Sequence, residues 1–293
     1  MEYKTITFYK YVKLDNPDQI TGYFRGLCES LDLLGRILIG KEGVNAGVSG
    51  TKDNIEKFKK IIESKRQFAK MTYREQEVQD NSYHKLVVKV RNEIVTLGKD
   101  VDMTKKGRHV TPSRLKKWLD RNEEVIMLDA RNDYEAKIGK FNNAVVLPID
   151  KFRDFPEAAE KALKGKEDKR IVMYCTGGIR CEKSSAYLRQ KGFKNVFQLQ
   201  GGIINYANQF PNDYYKGKCF VFDDRISGDV KSENVMSKCE LCGVDCDLYI
   251  NCHHLECDKL IVSCPECQEK MNMTCSQECK SAPRQRVRLM ISN

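Results

Sequence analysis

A short apolar run, Ile171-Val-Met-Tyr174, stops at Cys175, and Thr176-Gly177-Gly178-Ile179-Arg180 leads straight into a stretch of helical composition. A strand that feeds a helix through so tight a turn belongs in a parallel sheet whose loops gather at the carboxyl edge of the strands. The Cys175 sulfur then sits at that edge, and the first N–H groups of the helix aim back at it. Gly177 and Gly178 let the backbone curl so that several N–H groups face one point, and Arg180 adds a fixed positive charge. Both favour a thiolate. The plainer alternative is a packed cysteine at a strand end, because free cysteine often behaves as a small core hydrophobe. Reactive chemistry requires the sulfur to open onto solvent or a groove.

Two further apolar runs end in the same manner. Val125 to Leu128 is followed by Asp129-Ala-Arg131, and Val196 to Leu199 by Gln200-Gly-Gly202. Asp129 and Arg131, at the carboxyl end of a neighbouring strand, brace the Cys175 loop or line its mouth. Cys181, directly after the loop, is either a resolving thiol for Cys175 or a core residue, since six residues of separation do not set the sulfur-to-sulfur geometry. From about Thr111 to Pro211 these motifs together resemble the rhodanese domain. The resemblance implies that Cys175 carries the persulfide or thiolate chemistry. The loop from Cys175 to Arg180 has the six-residue length that goes with sulfur transfer, whereas related phosphatases use one residue more.

Residues 1–95 read as β-α-β-β-α-β, a ferredoxin-like (acylphosphatase-like) plait. Ile6, Phe8 and Val12 share one side of an extended run, and Ile20, Phe24, Leu27, Cys28 and Leu31 follow helical spacing. Arg36 to Ile39 and Val44 to Val48 form two strands, Thr51 caps a helix with Ile55, Phe58, Ile61 and Ile62 inward, and Leu86, Val88 and Val90 mark the last strand. Tyr9 and Tyr11 fall on the outer face of that sheet, where they either stack bases or pack against another domain. Residues 96–110 show no sustained period and read as a linker; Thr111-Pro112 then opens a helix. The expected division is 1–95, 96–110, 111–212 for the parallel α/β unit, and 213–293 for a cysteine-rich end. Cys219, early in that last part, reaches the active site or simply packs.

Of 13 cysteines, nine lie between Cys239 and Cys279. No apolar stretch is long enough to span a bilayer, and Met1-Glu-Tyr-Lys-Thr5 lacks a secretory apolar core, so a cytoplasmic location without membrane contact is expected. There, clustered cysteines mean metal or redox chemistry more than disulfides. Cys239-x2-Cys242 and Cys264-x2-Cys267, with 21 residues between them, nearly match a four-cysteine zinc site. An iron–sulfur cluster fits the count too, and so does a metal-free thiol cluster. The net charge of +10 points to a polyanion; between Thr96 and Arg121 eight basic residues oppose three acids, a local excess beside the loop. The tail Pro283-Arg-Gln-Arg-Val-Arg288 touches a phosphate backbone or is a solvated end.

Over nearly its full length the chain resembles the bacterial rhodanese-like family of oxygen-dependent tRNA uridine 5-hydroxylases. Gly35-Arg-Ile-Leu-Ile-Gly-Lys-Glu-Gly-Val-Asn45, Cys175-Thr-Gly-Gly-Ile-Arg-Cys-Glu-Lys183, Lys216-Gly-Lys-Cys-Phe-Val-Phe-Asp-Asp-Arg225 and the cysteine-rich end carry the likeness. It implies conversion of the wobble uridine in a tRNA anticodon loop to 5-hydroxyuridine, with Cys175 required and dioxygen as co-substrate. The chain holds only four histidines, with no evident two-His-one-carboxylate set and no flavin or nicotinamide glycine fingerprint. Two other functions use the same features: a persulfide sulfurtransferase in tRNA thiolation, and a non-catalytic RNA-binding adaptor. Oligomeric state is not legible.

Overall fold

The first strand, β1 (Tyr3–Tyr11), alternates: Ile6 and Phe8 are buried beneath two helices, while Thr5, Tyr9 and Tyr11 point to the other side. The helices are α1 (Pro17–Ser30) and α2 (Lys52–Glu63), and Thr51 caps the second by accepting the Asn54 N–H. Between them run β2 (Leu34–Gly40) and β3 (Gly43–Thr51). Phe8, Phe24, Phe58 and Phe68 fill the core between helices and sheet as a chain of tilted and edge-on rings. The structure is a computed structural model that describes residues 2–223, 225, 227–228 and 234–286.

Two expectations are corrected here. The fourth strand of the plait is β4 (Tyr73–Val78), which pairs antiparallel with β1; Leu86–Val90 is an added edge strand, β5, parallel to β2. The sheet order is therefore β4-β1-β3-β2-β5. Tyr73-Arg-Glu-Gln-Glu-Val78 is an edge strand with little apolar alternation, so no period marks it in the sequence. On α2, Ile61 is not inward but 37% exposed, because Ile55, Phe58 and Ile62 already complete the buried stripe.

Residues 96–110 do more than link. Leu97 is buried in the central core, and β6 (Arg108–Val110) lies at the edge of the second sheet. Three residues are too few to show a period. The chain continues with α3 (Pro112–Asp120), capped by Thr111, then β7 (Ile126–Asp129), α4 (Asp133–Lys137), β8 (Gly139–Phe141), β9 (Val145–Val146) and α5 (Phe155–Leu163). It ends with β10 (Arg170–Tyr174), α6 (Ile179–Gln190), β11 (Asn195–Leu199) and α7 (Gly202–Gln209). The order β6-β11-β10-β7-β9 is parallel throughout, with β10 central and buried on both faces. One core holds Leu128, Phe155, Ile171 and Leu188; the other holds Leu115, Phe141, Val172 and Tyr206.

Beyond α7, β12 (Tyr215–Gly217) pairs with β8, and β13 (Cys219–Phe220) with β14 (Ser227–Gly228). The cysteine-rich end contains a hairpin, β15 (Tyr249–Asn251) with β16 (Leu260–Val262), and two short helices, α8 (Pro265–Lys270) and α9 (Gln277–Ser281). Its apolar residues pack on Ile138 and Phe220, and the Tyr249 hydroxyl donates to the Tyr134 carbonyl at 2.6 Å. Arg288 of the basic tail lies outside the described residues. No helix among the described residues is long and apolar enough to cross a membrane.

Candidate active site

The buried run Ile171 to Tyr174 delivers Cys175 to the carboxyl edge of the central sheet, and the chain turns at once into α6. Gly178 caps that helix with φ 98°, a left-handed conformation that a side chain would strain, and its N–H donates to the Cys175 sulfur at 3.0 Å. The Ile203 N–H donates to the Cys175 carbonyl at 3.0 Å, and Gly202 lies so close beneath the loop that a Cβ atom there would stand 2.4 Å from that carbonyl oxygen. The Gln200-Gly-Gly202 motif thus braces the loop from the next strand.

The opening of α6 is rich in charge, yet Arg180, Cys181, Glu182 and Lys183 are all buried. Each ion is paired, as burial demands. Arg180 forks onto Glu135 at 2.5 and 2.7 Å. Glu182 takes Lys106 at 2.9 Å and His109 at 3.1 Å, and Lys183 reaches Glu42 at 2.8 Å and Glu93 at 2.6 Å. Glu42 and Glu93 belong to the N-terminal part, so α6 is clamped from both sides. Sequence reasoning missed Glu135. An Asn-x-x-Glu capping box at Asn132–Glu135 was the signal for it, although a cap does not announce a second partner.

Burial by itself pushes the Cys175 thiol up. A hydrogen bond from Cys181, the Arg180 guanidinium and the N–H groups of Arg180 and Gly178 outweigh it and bring the thiol down from 9.0 to about 5. Cys181 is fully buried and moves the other way, held protonated by desolvation and by the charge of its neighbour. The pair is therefore a thiolate and a thiol donor. Asp129 and Arg131 form a fully buried pair at 2.7 Å, with the Arg131 guanidinium also donating to the carbonyls of Glu135 and Gly139. They brace the strand end and do not line a mouth. Cys219 packs under the loop, and burial raises its thiol to about 12.

One expectation about access is corrected. Cys175 is only 1% exposed, because the outer face of the N-terminal sheet closes over it. The Tyr9 hydroxyl donates to Glu182 at 3.4 Å and the Tyr11 hydroxyl to the Ile179 carbonyl at 3.4 Å. Arg74 lies over the Tyr9 ring, comes within 3.2 Å of where a Cβ atom at Gly177 would stand, and donates to the Gly201 carbonyl at 3.3 Å. The two tyrosines are thus a packing surface here, and in this arrangement no base can reach the sulfur.

At the cysteine-rich end, Cys239, Cys242, Cys264 and Cys267 converge with their sulfurs within 4.8 Å of one another. Cys252, Cys257, Cys275 and Cys279 form a second such set, which spacing had left unassigned. The Cys242–Cys264 and Cys257–Cys275 sulfurs are 3.7 Å apart and the Cys275–Cys279 pair 3.6 Å. A disulfide would bring them to about 2.05 Å. Four thiolates placed tetrahedrally at about 2.3 Å from one ion stand about 3.8 Å from each other. Either set could hold a metal ion.

Residues 3–94 match the family model described as "UPF0176 acylphosphatase like domain", 111–209 the "Rhodanese-like domain" and 216–280 "Rhodanase C-terminal". Curated relatives align along almost the whole chain. A protein of Chlamydia felis named "tRNA uridine(34) hydroxylase" is 38% identical over 290 residues, covering 96% of this chain and 88% of that protein. Proteins of the same name from Cytophaga hutchinsonii and Staphylococcus haemolyticus are 38% and 39% identical, covering 97% and 98% of this chain and 92% and 91% of theirs.

Proposed function

Because the chain belongs to the family of tRNA uridine(34) hydroxylases, we propose that it hydroxylates uridine 34 of tRNA, the wobble base of the anticodon loop, to 5-hydroxyuridine. It is an oxidoreductase that uses dioxygen and acts in the cytoplasm, and Cys175 is its reactive group. The observation that carries the residue assignment is the Cys175 sulfur accepting the Gly178 N–H at 3.0 Å at the head of a buried helix.

The wobble uridine is already unpaired in an anticodon loop, so extruding it costs little. Its entry moves Tyr9 and Arg74 off the loop. The thiolate adds to C6 of the uracil, which raises electron density at C5, and an oxygen atom from dioxygen adds there. Loss of the C5 proton and release of sulfur from C6 then leave 5-hydroxyuridine and the free thiolate. The other oxygen atom leaves as water, with two electrons and, in net, two protons from a two-electron reductant and solvent outside the chain. The loop N–H groups of Gly178 and Arg180 hold the charge on sulfur before attack and after release, and Cys181 donates to the same atom. Arg180, already forked onto Glu135, stiffens the loop as well as lending charge.

Each four-cysteine set holds one zinc ion. Sulfurs within 4.8 Å of one another leave no room for the bridging sulfides of an iron–sulfur cluster. The metal's part is structural: two three-residue strands and two helices of five and six residues cannot build a core of their own.

Nucleosides from tRNA of cells lacking the gene, complemented with native protein or Cys175→Ala, test this by mass spectrometry. Restoration of 5-hydroxyuridine by the native protein alone supports the reading. Restoration by both would leave the loop without a catalytic part, and loss of 2-thiouridine instead would point to sulfur transfer.

A further inference from the structure

A cleft of about 260 Å³ opens where the N-terminal sheet, the central unit and the cysteine-rich hairpin meet. Arg36 of β2 and Lys85 before β5 stand on one side, Tyr134 of α4 and Phe222 after β13 on another, and Asn251 and Leu260 of the β15–β16 hairpin close it. The cleft is tied to the reactive loop at two points. The Arg180 guanidinium lies 5.5 Å from the Phe222 ring centre, and the Thr176 hydroxyl donates to the Phe220 carbonyl at 3.3 Å. Phe222 is held edge-on against Phe220 at 5.2 Å and remains 54% exposed, so its ring is fixed in direction and still open to a ligand. Arg36 and Lys85 are exposed, and among the described residues neither pairs with a carboxylate. Among the described lining residues the one acid, Asp223, is already taken by Arg225 at 2.5 Å.

An exposed ring with two uncompensated cations beside it has the chemistry of a single-stranded nucleotide site, stacking for the base and charge for the phosphate. We propose that this cleft seats one nucleotide flanking the target uridine, its base stacked on Phe222 and its phosphate on Arg36 and Lys85. The proposal rests on the tRNA-hydroxylase reading. Its volume, below the roughly 300–1,000 Å³ of drug-sized ligand pockets, suits one nucleotide and not a run of them. Holding the neighbour keeps the target base unstacked beside the loop, and it gives the cysteine-rich hairpin a task in substrate binding.

The test uses the full chain and a synthetic stem–loop RNA with an unmodified uridine at position 34. Phe222→Ala should weaken binding and raise KM about tenfold, the usual effect of losing one base–aromatic stack, with melting temperature little changed. Phe222→Trp should keep native affinity, and its added fluorescence should be quenched by the RNA. Arg36→Ala with Lys85→Ala should reduce the slope of log affinity against log salt by about one to two. Native affinity, KM and salt slope in all variants would overturn the cleft assignment and leave the enzymatic one standing. A native protein that neither binds nor hydroxylates the RNA would overturn both.

Discussion

Removing the Cys181 thiol takes one donor from the Cys175 sulfur and leaves the Gly178 N–H in place. Cys181→Ala should therefore raise the Cys175 pKa and make the thiolate fraction fall off at a higher pH. Cys181→Ser, which keeps an O–H donor, should stay near native. The pH dependence of Cys175 alkylation in the three proteins checks this, and an unchanged Cys181→Ala profile would assign Cys181 to the core alone. Glu135 offers a second residue-scale expectation. Glu135→Ala strands Arg180 as a buried unpaired cation, and breaking such a pair typically costs about 3–5 kcal/mol, readable as loss of stability in denaturant. Gly178 was legible in the sequence because a left-handed turn demands a glycine there, and Cys175 and Arg180 were read from their places on either side of that turn. Glu135 and Glu182 were not, since their partners lie 45 and 73 residues away.

At the level of elements, α6 joins the site to the rest of the fold. Its helical composition could be read, but not its burial, because a polar stretch looks like a solvent face until its ion pairs with Glu42, Glu93, Lys106 and Glu135 are known. The parallel order of the central strands followed from apolar runs ending in loop motifs. The edge strands β4 and β6 did not, being short or polar. The cover formed by β1 and β4 has a measurable consequence. Arg74→Ala removes the contact over Gly177 and the bond to the Gly201 carbonyl, so Cys175 should react several-fold faster with iodoacetamide at neutral pH. Equal rates would mean that access is limited elsewhere. A cover assembled from residues 9, 11 and 74 could not be seen in a sequence that left two uses open for the tyrosines and no strand for Arg74.

For the whole molecule, the N-terminal plait supplies the cover, the central sheet the sulfur and the cysteine-rich end a wall beside them. That end lacks an apolar core of normal size, so metal should decide whether it folds. Elemental analysis should find two zinc ions per chain. Chelation should speed hydrogen exchange across residues 239–279 and leave the central sheet protected. Retention of the fold in metal-free protein would remove the structural role. The unifying claim remains that a buried sulfur is ionised at neutral pH and that the reaction needs it. Its most direct test is the rate at which iodoacetamide abolishes uridine hydroxylation as pH is varied. A thiol brought down to about 5 is ionised above that pH, so inactivation should be half-maximal near pH 5 and flat from neutral pH upward. A rate that keeps climbing to a midpoint near the ordinary thiol value of about 8.5, or alkylation of Cys175 that leaves hydroxylation intact, would contradict it.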